Sequence, residues 1–157
     1  MVHRLTLGLA LGCLSGACGT YDPPPDLLDT NLGRGVYDPR RGDIELTLSE
    51  PVDPATLRVE VARALFSVER DLCLPADDLP PGCATAAEVV IGADSERITV
   101  EDGQFVRIDG SALEPFSTYA LRIDGGLADE AGRARVTPVI RAFFVRGDVQ
   151  GTSTDFE

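Results

Sequence analysis

The residues that could do chemistry in this 157-residue chain are four cysteines, one histidine and a surplus of carboxylates, 26 acidic side chains against 14 basic ones. Nucleophilic catalysis of the Ser/His/Asp or Cys/His kind needs an imidazole base, and His-bearing zinc sites need it as a ligand. The single histidine is His3, inside a leader expected to be removed, so both classes fall away. Carboxylate chemistry stays open. A glycosidase-type pair needs two acids facing each other across a cleft, and no acid here sits in an obviously apolar stretch. In "DGGLADEAG", Asp124 to Gly132, three carboxylates offer the oxygen ligands that calcium takes. The segment lacks the ligand spacing and terminal Glu of an EF-hand loop, so a solvated turn is expected. Asp77 and Asp78 are a similar case. Arg-Gly-Asp occurs twice, at Arg41-Gly42-Asp43 and Arg146-Gly147-Asp148. Each falls at the end of an apolar run, where Gly and Asp make turns.

Charge limits the partners. The formal net charge is −12, and every basic residue is arginine. Phosphate backbones repel such a surface, so no nucleic-acid partner is expected. No cofactor motif is present, and none is expected.

The first residues read as an address. "MVHRLTLGLALGCLSGAC" has one basic residue, Arg4, an apolar run from Leu5 to Leu14, and small residues Ser15, Gly16 and Ala17 before Cys18. That is the anatomy of a secretory signal, and the run is too short for an ordinary spanning helix. With a cysteine at the cleavage point, the segment resembles a bacterial lipoprotein signal peptide. The resemblance implies removal of residues 1–17, attachment of fatty-acyl (palmitate) groups at Cys18 and a lipid-anchored place in the cell envelope. It points to the outer membrane, on its periplasmic or surface face. Cys13 is the alternative, with Ala10 three residues before it; Cys18 leaves the longer apolar core. "GTYDPPPDLLDTN" follows directly and reads as a tether, extended by Pro23, Pro24 and Pro25 and solvated by Asp22, Asp26 and Asp29. Residues 18–31 are assigned to the anchor and tether, whose stretched reach is at most about 45 Å.

With Cys13 removed and Cys18 acylated, Cys73 and Cys83 remain. They bracket "LPADDLPPG", and an exported chain meets an oxidising compartment, so a disulfide between them is expected. Closing so short a loop contributes about 2.5 kcal/mol on the chain-entropy model. Loops on a rigid scaffold often carry recognition, which makes this one the place for a protein or glycan partner.

The elements that would position these residues are strands. In "DIELTLS", Ile44, Leu46 and Leu48 alternate with Glu45 and Thr47; in "STYALRID", Tyr119, Leu121 and Ile123 alternate with Ala120 and Arg122. "AEVVIG", "ERITVE", "QFVRID" and "TPVIRAFFVRG" are further short β-rich runs. "ATLRVEVARALFSVER" fits a strand up to Val61 and a helical stripe beyond it, so a bulge or break is expected near Arg63. Short strands without a long helix predict an all-β, antiparallel sandwich over residues 32–147, with 148–157 as a flexible tail.

"SEPVDPATL", Ser49 to Leu57, then reads as a corner. Pro51 cannot donate to a central ladder and stops the strand. Asp53 before Pro54 is the N-cap and first position of a short helical turn. "IELTLSEPVDPATL" and "LEPFSTYALRIDGGLADEAGR" together resemble the bacterial Ig-like domain family related to surface-layer and cell-surface proteins. The resemblance covers roughly Leu32 to Arg146, with the Cys73–Cys83 segment as an insertion. It implies an Ig-like sandwich without catalytic residues, serving as a structural, adhesion or interaction module. The alternative is a secreted carboxylate-dependent enzyme or accessory domain acting on envelope polysaccharide.

Overall fold

A computed structural model describes residues 22–67, 69–74 and 82–147. Cys13, Cys18, Asp77, Asp78, Asp148 and the C-terminal tail lie outside the described residues.

Nine strands are described: β1 (Leu27–Thr30), β2 (Val36–Tyr37), β3 (Ile44–Leu48), β4 (Val59–Arg63), β5 (Val89–Ile91), β6 (Ile98–Glu101), β7 (Phe105–Ile108), β8 (Thr118–Ile123) and β9 (Val139–Val145). They form two sheets, one in the order β1-β3-β7-β6 and the other in the order β2-β9-β8-β4-β5. The molecule is an all-β sandwich.

Period-2 alternation produces this arrangement. Ile44, Leu46 and Leu48 of β3 and Val106 and Ile108 of β7 face inward from the first sheet, and all are buried. Val59 and Val61 of β4, Tyr119, Leu121 and Ile123 of β8, and Phe143 and Val145 of β9 answer them from the second. These residues belong to one contiguous cluster, which is the core of the sandwich. Tyr37 meets Phe143 edge-on at 6.3 Å and Tyr119 stacks on it at 6.0 Å, so three aromatic rings fill one end of that core. Gly110 permits this, because a side chain there would strike the Tyr37 ring.

Tyr119 closes the same end. Its hydroxyl accepts a 2.9 Å hydrogen bond from the Glu114 backbone N–H, five residues upstream. A tyrosine at the start of β8 thus bonds back to the corner that precedes its own strand. Arg63 lies over the Tyr119 ring at 5.9 Å and pairs with Glu114 at 2.7 Å. Replacing Tyr119 with Phe keeps the ring and removes the acceptor, which leaves a part-buried N–H without its partner. The expected cost is about 1–3 kcal/mol in urea unfolding, with an unchanged circular dichroism spectrum. A variant as stable as the parent would show that the corner is not holding the fold.

Three sequence expectations change. First, the stretch assigned to a tether is partly built into the sandwich: Leu27–Thr30 is an edge strand antiparallel to β3, with Leu27 opposite Leu48 and Thr30 opposite Leu46. Prolines and aspartates marked it as solvated, yet Pro25 is buried and the ladder continues through Asn31 N–H to the Glu45 carbonyl at 3.2 Å. The folded domain therefore begins before residue 32. Second, pairing is not wholly antiparallel. The two-residue β2 runs parallel to β9, with Val36 opposite Phe144 and Tyr37 opposite Val145. Third, the turn at Asp124–Gly132 is not simply solvated, because Asp129 is 4% exposed. The ambiguous segment resolves as a strand ending at Arg63, with a register shift between Val61 and Ala62 against β5.

Candidate functional site

Two places on the sandwich carry more than a loop needs, and they lie at opposite ends. The first is the insertion between β4 and β5. Cys73 and Cys83 are joined, with Cα atoms 5.6 Å apart. A small hairpin leads into the bridge: Phe66 and Leu72 form an isolated bridge, and the buried Ser67 hydroxyl accepts from the N–H groups of Glu69 at 3.1 Å and Asp71 at 3.0 Å. Cys73 N–H donates to the Leu65 carbonyl at 2.8 Å, and the Cys73 carbonyl accepts from Ala87 N–H at 2.6 Å.

The insertion does not simply hang from the sandwich. Leu74 and Ala87, with Leu72 beside them, pack on Ala62 of β4 and Ala120 of β8, forming a second buried cluster. Ala62 and Ala120 are register partners on the outer face of the five-stranded sheet. Where the alternation calls for solvent, these two positions carry small apolar residues. That was the legible signal for a covering element, and the sequence reading passed over it. Leu65 and Phe66 remain exposed at 40% and 50% on the insertion itself.

Reduction of the Cys73–Cys83 bridge is expected to lower stability by about 2.5 kcal/mol and to raise amide exchange mainly across 64–88, with β3, β7 and β8 still protected. Thiol counting on the denatured mature protein checks the starting point. No free thiols are expected, and two would contradict the bridge.

The second place is the opposite end, where three connections and the entering chain meet. The corner "SEPVDPATL" forms as its residue types dictate. Asp53 Oδ1 accepts from Ala55 N–H at 2.9 Å, Thr56 N–H donates to the Asp53 carbonyl at 2.9 Å, and Leu57 is buried beneath the turn. Val52 N–H donates to Gly103 of the β6–β7 turn, and Asp53 N–H to Ala128 of the β8–β9 connection, each at 2.9 Å. Gly103 has φ +65°, and a Cβ there would stand 3.0 Å from the Val52 carbonyl, so glycine is what lets the two loops touch. Thr56 ties the corner again by accepting from Ala128 N–H at 3.0 Å.

Asp129, which the calcium reading would use, is already committed. Its carboxylate accepts from Arg133 N–H at 2.8 Å and from Arg133 Nε at 2.5 Å. A buried carboxylate needs such a counter-charge. Asp124 pairs with Arg122 at 2.7 Å. Among the described residues, no group of three or more Asp, Glu, Cys or His side chains is arranged to hold a metal ion. Arg133 also reaches Asp22 and, at 3.5 Å, Glu50, while Arg135 bonds Asp26 at 2.5 Å. The Arg135 hydrogen bond is the largest of the influences that set the Asp26 carboxyl below its usual range. That contribution is present above the ordinary carboxylate pKa and is lost as pH falls through the lowered one.

Two surface depressions are mainly polar. One of about 570 Å³ is lined by Asp43, Ser95, Glu96, Arg97, Thr99 and Asp109. Asp109 there is held by Ser111 N–H at 2.8 Å and Arg97 at 2.6 Å, and its carboxyl is shifted down, chiefly by the Ser111 backbone hydrogen bond. Another, of about 410 Å³, includes Tyr37, Asp38, Arg41 and Arg146. Asp38 is paired with Arg40, whose hydrogen bond contributes most to lowering its pKa to about 2. The first Arg-Gly-Asp triplet enters β3 through Gly42 at φ +99°, and Tyr37 Oη donates to the Gly42 carbonyl at 3.0 Å. The second follows β9, and its Asp148 is outside the described residues.

No protein-family model, curated protein or solved structure matches this chain.

Proposed function

We propose that this protein is a lipid-anchored bacterial envelope protein whose Ig-like sandwich is a non-catalytic interaction module. The anchor reading rests on the leader ending in Ser15, Gly16, Ala17 and Cys18. The observation that carries the module reading is the insertion. A disulfide, a hairpin and a private apolar cluster fix it against the outer face of the sandwich, an investment that a plain connection between neighbouring strands does not need. Such a loop presents a defined surface, and exposed Leu65 and Phe66 beside it favour a protein partner over a glycan. The Ser-Glu-Pro-Val-Asp corner and the Tyr119 corner support the likeness to the bacterial Ig-like family.

Fractionation tests this reading. Expressed with its own leader in a bacterial host, the wild-type chain should remain in the membrane pellet through high-salt and alkaline washes and leave it with detergent. A chain found wholly in the soluble fraction would contradict the anchor. Cross-linking in intact envelopes, comparing the wild type with Phe66→Ser, should then show a partner adduct that weakens in the variant. An adduct pattern unchanged by the substitution would move the interaction surface elsewhere.

A further inference from the structure

The entering chain is fastened before the first strand begins. Asp22 pairs with Arg133, Asp26 pairs with Arg135 at 2.5 Å, Asp26 N–H donates to Ser49 Oγ at 3.0 Å, and Ser49 N–H returns a bond to the Asp26 carbonyl at 2.8 Å. Pro25 between them is buried. These contacts place residues 22–26 against the Ser49–Leu57 corner and the Asp129–Arg135 turn, the end of the sandwich where Val59 pairs with Ile123. The insertion leaves β4 after Arg63, at the other end of the β4–β8 ladder, where Arg63 pairs with Tyr119. The six residues of β8 separate the two ends by about 20 Å.

From this we infer that the domain stands on the bilayer in one orientation: the end built from the Ser49–Leu57 corner, the Gly103 turn and the Asp129–Arg135 turn faces the membrane, and the Cys73–Cys83 insertion faces away. The inference rests on the lipid anchor at Cys18 proposed above. Only residues 19–21 lie between Cys18 and the strapped Asp22, a reach of at most about 14 Å. That is far shorter than the tether expected from composition, and too short for the domain to turn its far end to the lipid. The strap itself is made of partly exposed ion pairs, each weak alone. Its strength lies in their combination with the Asp26–Ser49 backbone pair and the β1–β3 ladder that continues it. The facing end offers the bilayer little attraction, because Arg133 and Arg135 there are already ion-paired and Glu50, Asp53, Asp102 and Glu130 add negative charge to the same end. Proximity therefore comes from the short link and not from adsorption. A partner of the insertion would approach from the side away from the membrane.

Energy transfer on the full, exported and acylated protein tests this. The protein is reconstituted in phosphatidylethanolamine/phosphatidylglycerol vesicles carrying a headgroup-linked acceptor dye. A donor is placed on an introduced cysteine, Ala131→Cys at the strapped end or Ala112→Cys at the insertion end, without reductant so that the native bridge stays closed. Transfer from position 131 is expected to be at least about twofold stronger than from position 112. Ala55→Cys against Arg41→Cys repeats the comparison with independent sites, should either first variant misfold. Equal transfer from both ends, or stronger transfer from the insertion end, on protein shown by mass to be acylated would overturn the orientation. A mass showing no acyl group would overturn the anchor reading itself, and the orientation with it.

Discussion

Phe143→Ala is expected to cost about 3–5 kcal/mol, the largest stability loss of any single truncation argued from this fold. The ring is 1% exposed, stacked at 6.0 Å on Tyr119 and met edge-on at 6.3 Å by Tyr37. Its removal leaves a cavity between the Tyr37 and Tyr119 rings. Leu46→Ala, on the facing sheet, is expected to cost about 2–5 kcal/mol by the same mechanism. Urea unfolding followed by circular dichroism reads both. The parent spectrum should be that of a β protein. A helical spectrum, or a Phe143→Ala midpoint unchanged from the parent, would contradict the sandwich and its core.

The second large effect concerns location. Cys18→Ala is expected to abolish membrane association, moving essentially all of the protein from the pellet to the soluble fraction. The single lipidated cysteine is the whole of the proposed anchor, and no described helix is long and apolar enough to cross a membrane. Acyl chains bind through buried methylenes at about 0.8 kcal/mol each, so losing them removes the attachment outright. A Cys18→Ala protein that stays acylated and membrane-bound would move the anchor to Cys13. The folded domain should be untouched, with the Cys73–Cys83 bridge intact, since neither cysteine near the leader takes part in it.

The main strands were legible because each presents one buried face. Ile44, Leu46 and Leu48, and again Tyr119, Leu121 and Ile123, announce a strand and its inner side through spacing alone. The corner at Ser49–Leu57 was equally plain, since Pro51 and Asp53-Pro54 have few roles open to them. β1 was not legible. Its Asp29 and the neighbouring prolines look solvated, and what holds it is backbone pairing to β3, which leaves no mark on composition. β2 is too short for any period, and its parallel partner lies near the other end of the chain. Asp129 illustrates a different limit. Its burial depends on Arg133 folding back onto it, and the same residue reaches Asp22 from across the sequence; no local pattern encodes that meeting. At the insertion, the cysteine pair was readable by elimination. The cover it gives Ala62 and Ala120 could have been read from two small residues standing where the strands called for polar ones.

The measurement that bears most directly on the account is the intact mass and N-terminal peptide of the detergent-extracted protein. The expected result is a mature chain that begins at Cys18, carries fatty-acyl groups on that residue and retains the Cys73–Cys83 disulfide. A mature chain with an unmodified N-terminus, or one that keeps residues 1–17, would contradict it.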